Sequence, residues 1–485
     1  MRWAAVPGRL VRLVRDAFTT YEPYDPYYDA LPFRSPRRRA ARRRRWFVRL
    51  LVLVLAYILG IVLFRHLLIR SPRLYLPLPH NVTSGWHMST TARELEAQVA
   101  LEPQNAHPRH DMRYVHFANA HKNSGLNNIL QEVVLLAELA RQSRRALVVR
   151  PFLMDRWAAM PPQVFLAGPV VGGPFPSGDS SPRAVSMDTW EKECPPYKVH
   201  HVRSKTISTL LGLTDDSEGV EIMDRWAHWL SHLDHTCVEI VHVPPLVFDF
   251  PMVVSPRVMS LWDTMSTSPI TTGFEWSPIV VRAVEKALKV INPSYTPSKS
   301  GPARGDKVID GLAALHIRRG DFEGHCRFLQ SNMQSYNSWN LMNFLPDSFD
   351  PNRPPTRGTL TEDDLTLHYQ RHCWPSIAQI VLRLRQITRG GINNIRQVYV
   401  MTNGHGEWLE QLVAALRQAG WENVVTSAEV QRVLIDEESV VDQAVDMEIA
   451  RRAELLIGNG FSSLTSNVVL LRLAARNDPS SIRFW

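Results

Sequence analysis

Cysteine is scarce: four residues, Cys194, Cys237, Cys326 and Cys373, serve a chain of 485. No two stand as Cys-x-x-Cys, which removes the usual spacing of a zinc or dithiol redox site. A P-loop string, a Gly-x-Gly-x-x-Gly fingerprint and any Asp-x-Asp pair are also missing. The common glycine cradle for phosphate and the metal-holding carboxylate pair of many sugar-nucleotide transferases are therefore excluded. Phosphate, if bound, has to be met by arginine and backbone N–H groups. An excess of one charge is missing too, once its location is considered. Residues 1–45 hold twelve Arg against four acidic residues, which leaves 43 of the 55 basic and 43 of the 47 acidic residues for the remainder. The net charge of +8 thus belongs to the tail, and nucleic-acid binding by the folded part loses its main support.

Long hydrophobic runs are nearly absent, with one exception. After "RRRAARRRR" comes "WFVRLLVLVLAYILGIVLFRHLL", Trp46 to Leu68. Its uncharged centre, Leu50 to Phe64, makes about 22 Å of helix, and Arg49 and Arg65 can snorkel outward, so the segment reaches the ~30 Å of a bilayer core. This reads as one uncleaved transmembrane anchor, because 45 residues precede it and no small-residue cleavage site follows. Arginine is denser before the span than after it, which predicts a single-pass type II protein with a cytoplasmic N-terminus and a lumenal C-terminal part, in the Golgi or ER membrane. The sequon at Asn81 falls just beyond the span, and all four cysteines lie on the lumenal side, where disulfides persist. Pairing of sequence neighbours would close loops of 43 and 47 residues, each worth about 4 kcal/mol; four inert thiols are the alternative.

The tail, 1–45, includes "YEPYDPYYDALPF" and cannot bury a core. Residues 69–110 read as a stem. From Met112 the pattern becomes strand, loop, helix, strand: "RYVHFANA", then "LNNILQEVVLLAELARQ" with apolar residues at helical spacing, then "ALVV". Residues 150–300 show short apolar runs and one clear helix, "SPIVVRAVEKALKVI". A Pro-, Ser- and Gly-rich loop at 292–306 marks a boundary between domains at 111–300 and 301–485. In the second, "GLAALHI", "QVYVMTN", "VVTS" and "ELLIG" alternate with helical patterns, which implies parallel sheets with right-handed crossovers. The expected architecture is α/β, two such domains facing a cleft.

Three loops fall at the C-terminal ends of strands, where open α/β sheets bind ligands. "HKNSGLNN", His121 to Asn128, enters a helix whose free N–H groups favour an anion, and Gly125 permits close approach; taken alone, the loop reads first as an ordinary helix-entry turn. "HIRRGD" places His316, Arg318, Arg319 and Asp321 at a strand mouth. Either this is a solvated charged turn, or Arg318 aims its fork at a diphosphate. "GNGFSSLTSN" offers Ser462, Ser463 and Thr465 at a helix start, as phosphate cradle or plain cap. Upstream, Asp442 and Asp446 stand four apart on one helical face.

Together, "SGLNN" with its helix, "HIRRGD", "VYVMTN" and "LLIGNGFSSLTSNVVLLR" resemble the GDP-fucose protein O-fucosyltransferase superfamily, in a divergent fungal-type, membrane-anchored branch. The resemblance implies a GT-B fold of two Rossmann-like domains, with the acceptor side in 111–300 and the GDP-sugar site in 301–485. It implies inverting, metal-independent transfer of L-fucose from GDP-fucose to a hydroxyl on a protein or glycan, with no cofactor. Arg318 would meet the β-phosphate and stabilise departing GDP, with Arg319 in support. His316 and Asp446 would face guanosine, Asp321 would orient the arginines, and Ser462, Ser463 and Thr465 would hold phosphate. Gly125, Asn127 and Asn128 would lie on the diphosphate-fucose side, with Ile129 where family members often carry Gln. His121 is the positional candidate for general base. The loop from 327 to 372 would be tied by Cys326 and Cys373, as an acceptor-side loop or a plain surface insertion. The competing readings are another nucleotide-sugar GT-B transferase and an inactive sugar-binding relative.

Overall fold

A computed structural model describes residues 111–485 apart from 119–124, 156–157, 177, 242–246, 249, 297–307, 353–360 and 391–393. The basic tail, the apolar run Trp46–Leu68, Asn81 and His121 lie outside the described residues. Among the described residues no helix is long and apolar enough to cross a membrane.

The strand–helix–strand expected at the start is present as β1 (Tyr114–Phe117), α1 (Leu126–Gln142) and β2 (Ala146–Val149). With the short β3 (Val185–Ser186), β4 (Val199–Arg203) and β5 (Cys237–Val241) these strands form a five-stranded sheet in the order β3-β2-β1-β5-β4, every pairing parallel. α1 is buried nearly all round, not on one stripe, because it packs on β2 and also on a helix of the second half, α10 (Ser463–Ala474). That burial includes Glu138, whose carboxylate takes two bonds from Arg141 at 2.7 and 2.8 Å and one from Ser268 Oγ at 2.5 Å. A buried carboxylate is tolerated only when paired in this way.

The second sheet follows the strands read from sequence: β6 (Ile309–Ile317), β7 (Gln397–Thr402), β8 (Asn423–Thr426) and β9 (Ala453–Gly458), with β10 (Ile482–Phe484) at its edge. Its order is β8-β7-β6-β9-β10, again all parallel. Residues 312 to 317 of β6 are buried on both faces, so apolar continuity rather than alternation marks it. Leu312 and Ala314 join the core shared with α1 and α10, whereas Ala313, Leu315 and Ile317 face a separate core. That second core holds residues of α7 (Ile377–Arg389) and α8 (Gly406–Gln418). Strand order reverses beside β6, between β7 and β9, and the loops after β6 and β9 open at that point.

Two disulfides join sequence neighbours, Cys194 with Cys237 and Cys326 with Cys373. The second ties α5 (Phe322–Ser331) to the end of α6 (Glu362–Cys373). Of the segment between them, the stretch from Tyr336 to Phe349 is a largely irregular loop, but it is not the plain surface insertion that was one of the two expectations. Tyr336, Trp339, Met342, Leu345 and Phe349 are buried in the core. Asp347 anchors it through a two-pronged contact with Arg483 at 2.8 and 2.9 Å and a third bond from Arg383 at 2.6 Å. The polar spacing of "QSYNSWN" hid aromatic side chains that pack on one another, Tyr336 lying 5.1 Å from Phe461 and 5.4 Å from Phe349.

Candidate active site

Strand parity decides what the charges at the end of β6 can do. His316 and Arg318 project toward the core that contains α1 and α10; Arg319 projects to the opposite face. His316 is buried and its Nδ1 lies 2.8 Å from Thr465 Oγ1 in the first turn of α10. Burial, with the Arg318 charge added, lowers its pKa to about 3. The imidazole is therefore neutral at physiological pH, and its task here is to fix the start of α10 against β6. Close approach is possible because residue 458 is glycine: a Cβ there would stand 2.2 Å from Thr465 Cγ2.

Arg318 is held from two sides. Its Nη2 donates to both Asp321 oxygens at 3.0 and 3.3 Å, and its Cζ lies 4.6 Å from the Phe322 ring centroid. Asp321 accepts a further bond of 2.8 Å from Asn403 Nδ2. Arg318 Nε is buried without a partner among the described residues. A buried donor left empty is costly, so the guanidinium is held in place but not fully satisfied.

Arg319 behaves otherwise. It is buried, donates to the carbonyls of Arg318 and Pro375, and lies between the Trp374 and Trp408 rings at 4.6 and 4.3 Å. Burial lowers its pKa to about 10, and it stays charged at neutral pH. Its backbone is fixed by one side chain: Asn403 Oδ1 takes the Arg319 N–H at 2.7 Å, and Asn403 Nδ2 donates to the Arg319 carbonyl at 2.8 Å.

The other two loops meet this one. Asn467 of α10 donates to the Asn127 carbonyl at 2.8 Å and to its side-chain oxygen at 3.2 Å, while Asn127 Nδ2 donates to Gln443 at 3.2 Å. Asn127 is thereby spent in joining the start of α1 to α10 and α9 (Asp442–Arg452). Asn128 is partly exposed and makes no side-chain hydrogen bond among the described residues, and Gly125 is exposed. Ser462 is buried at the N-cap of α10 without capping it, and Ser463 is partly exposed beside it. Neither α1 nor α10 has a side-chain cap or an acidic residue in its first turn. Two positive helix ends thus stay uncompensated by side chains, a state that favours an anion. Asp446 accepts the Tyr399 hydroxyl at 2.5 Å. Burial, opposed by that bond and reinforced by the Asp442 charge, raises its pKa to about 7. Among the described residues no group of three or more His, Cys, Asp or Glu could hold a metal ion.

No protein-family model matches this chain, and no curated protein matches it. Among solved structures the chain is similar to POFUT1 in complex with GDP-fucose, at 16% identity over 78% of this chain and 99% of that one, with a TM-score of 0.49. It is also similar to POFUT1 in complex with GDP, at 18% identity over 76% and 97%, TM-score 0.48. Arabidopsis thaliana FUT1 in complex with GDP matches at 11% identity over 79% and 73%, TM-score 0.33.

Several residues that hold the site together escaped the sequence reading. Asn403, Gln443, Asn467 and Tyr399 each bond a residue singled out above. Asn403 alone carried a usable signal, as the polar residue that ends "VYVMTN" at a strand mouth. The others sit inside helices or a strand and become visible only through contacts distant in sequence.

Proposed function

We propose that the chain is a glycosyltransferase of GT-B architecture that transfers L-fucose from GDP-fucose to an acceptor hydroxyl with inversion and without a metal. One observation carries the reading: His316–Thr465 and Asn127–Asn467 bonds draw the ends of three separate loops to one place, where Arg318 keeps an unfilled buried N–H. The starts of the two helices joined by those bonds carry no side-chain cap and no acidic residue in the first turn. In such a transfer the bond from C1 of the sugar to the β-phosphate oxygen breaks while the acceptor oxygen bonds C1 from the opposite face. Negative charge grows on the leaving diphosphate, and Arg318 with the helix N–H groups stabilises it there. Fucose as the sugar rests on the motif resemblance. The acceptor proton goes to a base for which the loop at 119–124, with His121, is the candidate. A type II anchor through Trp46–Leu68, with the catalytic part in the Golgi or ER lumen, is supported by the apolar run behind a basic tail and by two disulfides.

The test is release of GDP from GDP-fucose by the full-length chain in detergent, with and without chelator. Turnover that survives chelation supports the reading. Failure to bind GDP at all removes it.

A further inference from the structure

The grip on the carbonyls of the "GNGFSS" loop decides which way its N–H groups point. The first helical bond of α10 runs from the Ser466 N–H to the Ser462 carbonyl at 3.1 Å, and the N–H groups of Ser463, Leu464 and Thr465 meet no carbonyl and no side chain among the described residues. A peptide unit is planar and trans, so whatever holds the Ser462 carbonyl sets the direction of the Ser463 N–H opposite it.

That hold comes from the short 3-10 turn Ser338–Leu341 and the residue before it. Asn340 is buried, and its Nδ2 donates to the Gly460 carbonyl at 2.8 Å and to the Ser462 carbonyl at 3.4 Å. Both neighbours can only accept, so the amide nitrogen must face them. The Asn337 N–H adds a bond of 2.8 Å to the Gly460 carbonyl, and the Trp339 N–H reaches Ser466 Oγ at 3.1 Å. From α1, Gln131 Nε2 closes the assembly on Asn337 Oδ1 at 3.0 Å and on Ser466 Oγ at 3.1 Å. The approach is close enough to require glycine at 460, where a Cβ would stand 2.4 Å from the Tyr336 ring.

The turn is held at a cost. Ser338 is fully buried with φ at +52°, in the left-handed region that side chains disfavour, and its Oγ has no partner among the described residues. Asn340 Oδ1 and Gln131 Oε1 are likewise buried without partners there. Strain and empty polar atoms of this kind are kept where they set up a site.

We propose that Asn340 is a positioning residue for the diphosphate: by holding the Gly460 and Ser462 carbonyls, it presents the N–H groups of Ser463, Leu464 and Thr465 to a phosphate. Asn340 acts through the loop backbone and touches no substrate itself. The role rests on the proposed transfer, in which helix N–H groups meet the leaving diphosphate.

Calorimetric titration of the full-length chain in detergent, with GDP and inorganic pyrophosphate as separate probes, tests this. In Asn340→Ala the affinity for both should fall about tenfold, the worth of the two bonds lost. Asn337→Ala, at a half-buried position, unties the turn from Gln131 and should weaken both probes about threefold; it carries the test if Asn340→Ala does not fold. The control is Tyr369→Phe, which loses a buried bond of 2.7 Å to the Gln334 carbonyl and should lower Tm without moving either affinity. Equal affinities in wild type and the variants at residues 337 and 340 overturn the proposal, and so does a loss of affinity that Tyr369→Phe shares. A wild type that binds neither probe removes both the positioning role and the transferase reading. If pyrophosphate binding is weakened as expected, but GDP is held no better than pyrophosphate and GDP-fucose is not turned over, the positioning role stands and the fucosyltransferase reading fails.

Discussion

The two sheets carry the same kind of polar group near their strand ends and use it in opposite ways. Across the first sheet His116, Glu239 and His201 stand in register on three neighbouring strands. Glu239 takes His116 Nδ1 at 3.0 Å on one oxygen and His201 Nδ1 at 2.9 Å on the other. Burial, partly offset by the Glu239 bond, lowers the His116 pKa, so its buried, unbonded Nε2 sits on a neutral ring. Nearby, Arg145 is buried and spends its guanidinium on the carbonyls of Leu230, Leu233 and His235 at 2.6–2.9 Å. In the second sheet Arg318 has one carboxylate partner, one aromatic face and an empty N–H. Similar charges therefore do different work, and the difference lies in unspent hydrogen-bonding capacity. The buried arginine of the first sheet spends its terminal N–H groups on backbone carbonyls, and the arginine at the mouth of the second is held by one carboxylate and one ring with its Nε unbonded among the described residues.

The sharpest way to break this contrast is Arg318→Ala. Turnover of GDP-fucose should fall about a hundredfold or more, the usual cost of removing a group that stabilises transition-state charge, with thermal stability close to wild type. An equal loss of stability would make Arg318 structural, like Arg145. Conversely, Arg145→Met should destabilise the fold by about 3 kcal/mol, because several buried carbonyls lose their donor, measured by denaturant unfolding. GDP affinity should not change.

A third test uses pH. The Asp446 pKa is raised from 3.8 to about 7, so the folded state holds the proton more firmly than the unfolded chain. Its contribution to stability is fully present below pH 4 and is lost as pH rises to about 7. Asp446→Asn removes that loss. The variant should match wild type at pH 4 and exceed it by about 2 kcal/mol at pH 8, roughly half the full linkage value because the site is partly exposed; a constant difference across pH would contradict the assignment. The smallest effect belongs to Thr465→Val, which strands His316 Nδ1 and should cost about 1 kcal/mol, seen as a small fall in Tm. Its GDP affinity should fall more than that of a control such as Thr209→Val on the exposed α-helix Ser204–Leu210.

Much of this organisation was legible in the sequence. The strands of the second sheet announced themselves as continuous apolar runs, and the three loops were singled out before their convergence was visible. The short β3 and β10, and β4 with two adjacent histidines, lacked a period to read. The roles of Arg318 and Arg319 were not separable either, because their facing depends on how β6 parity continues past its last paired residue. The same holds for Asn127 and Thr465. Each looked like a ligand group, and each is engaged by a partner more than a hundred residues away.

The Cys326–Cys373 bond has a consequence for anyone who makes this protein. Cys326 sits one turn beyond Asp321 and Phe322, which hold Arg318, and Cys373 immediately precedes Trp374. One covalent link thus joins the helix behind Arg318 to the residue before Trp374, whose ring stacks on Arg319. Chain produced in a reducing cytosol would lose the spacing of both at once, so preparations should be judged first by their thiol titre and only then by their turnover.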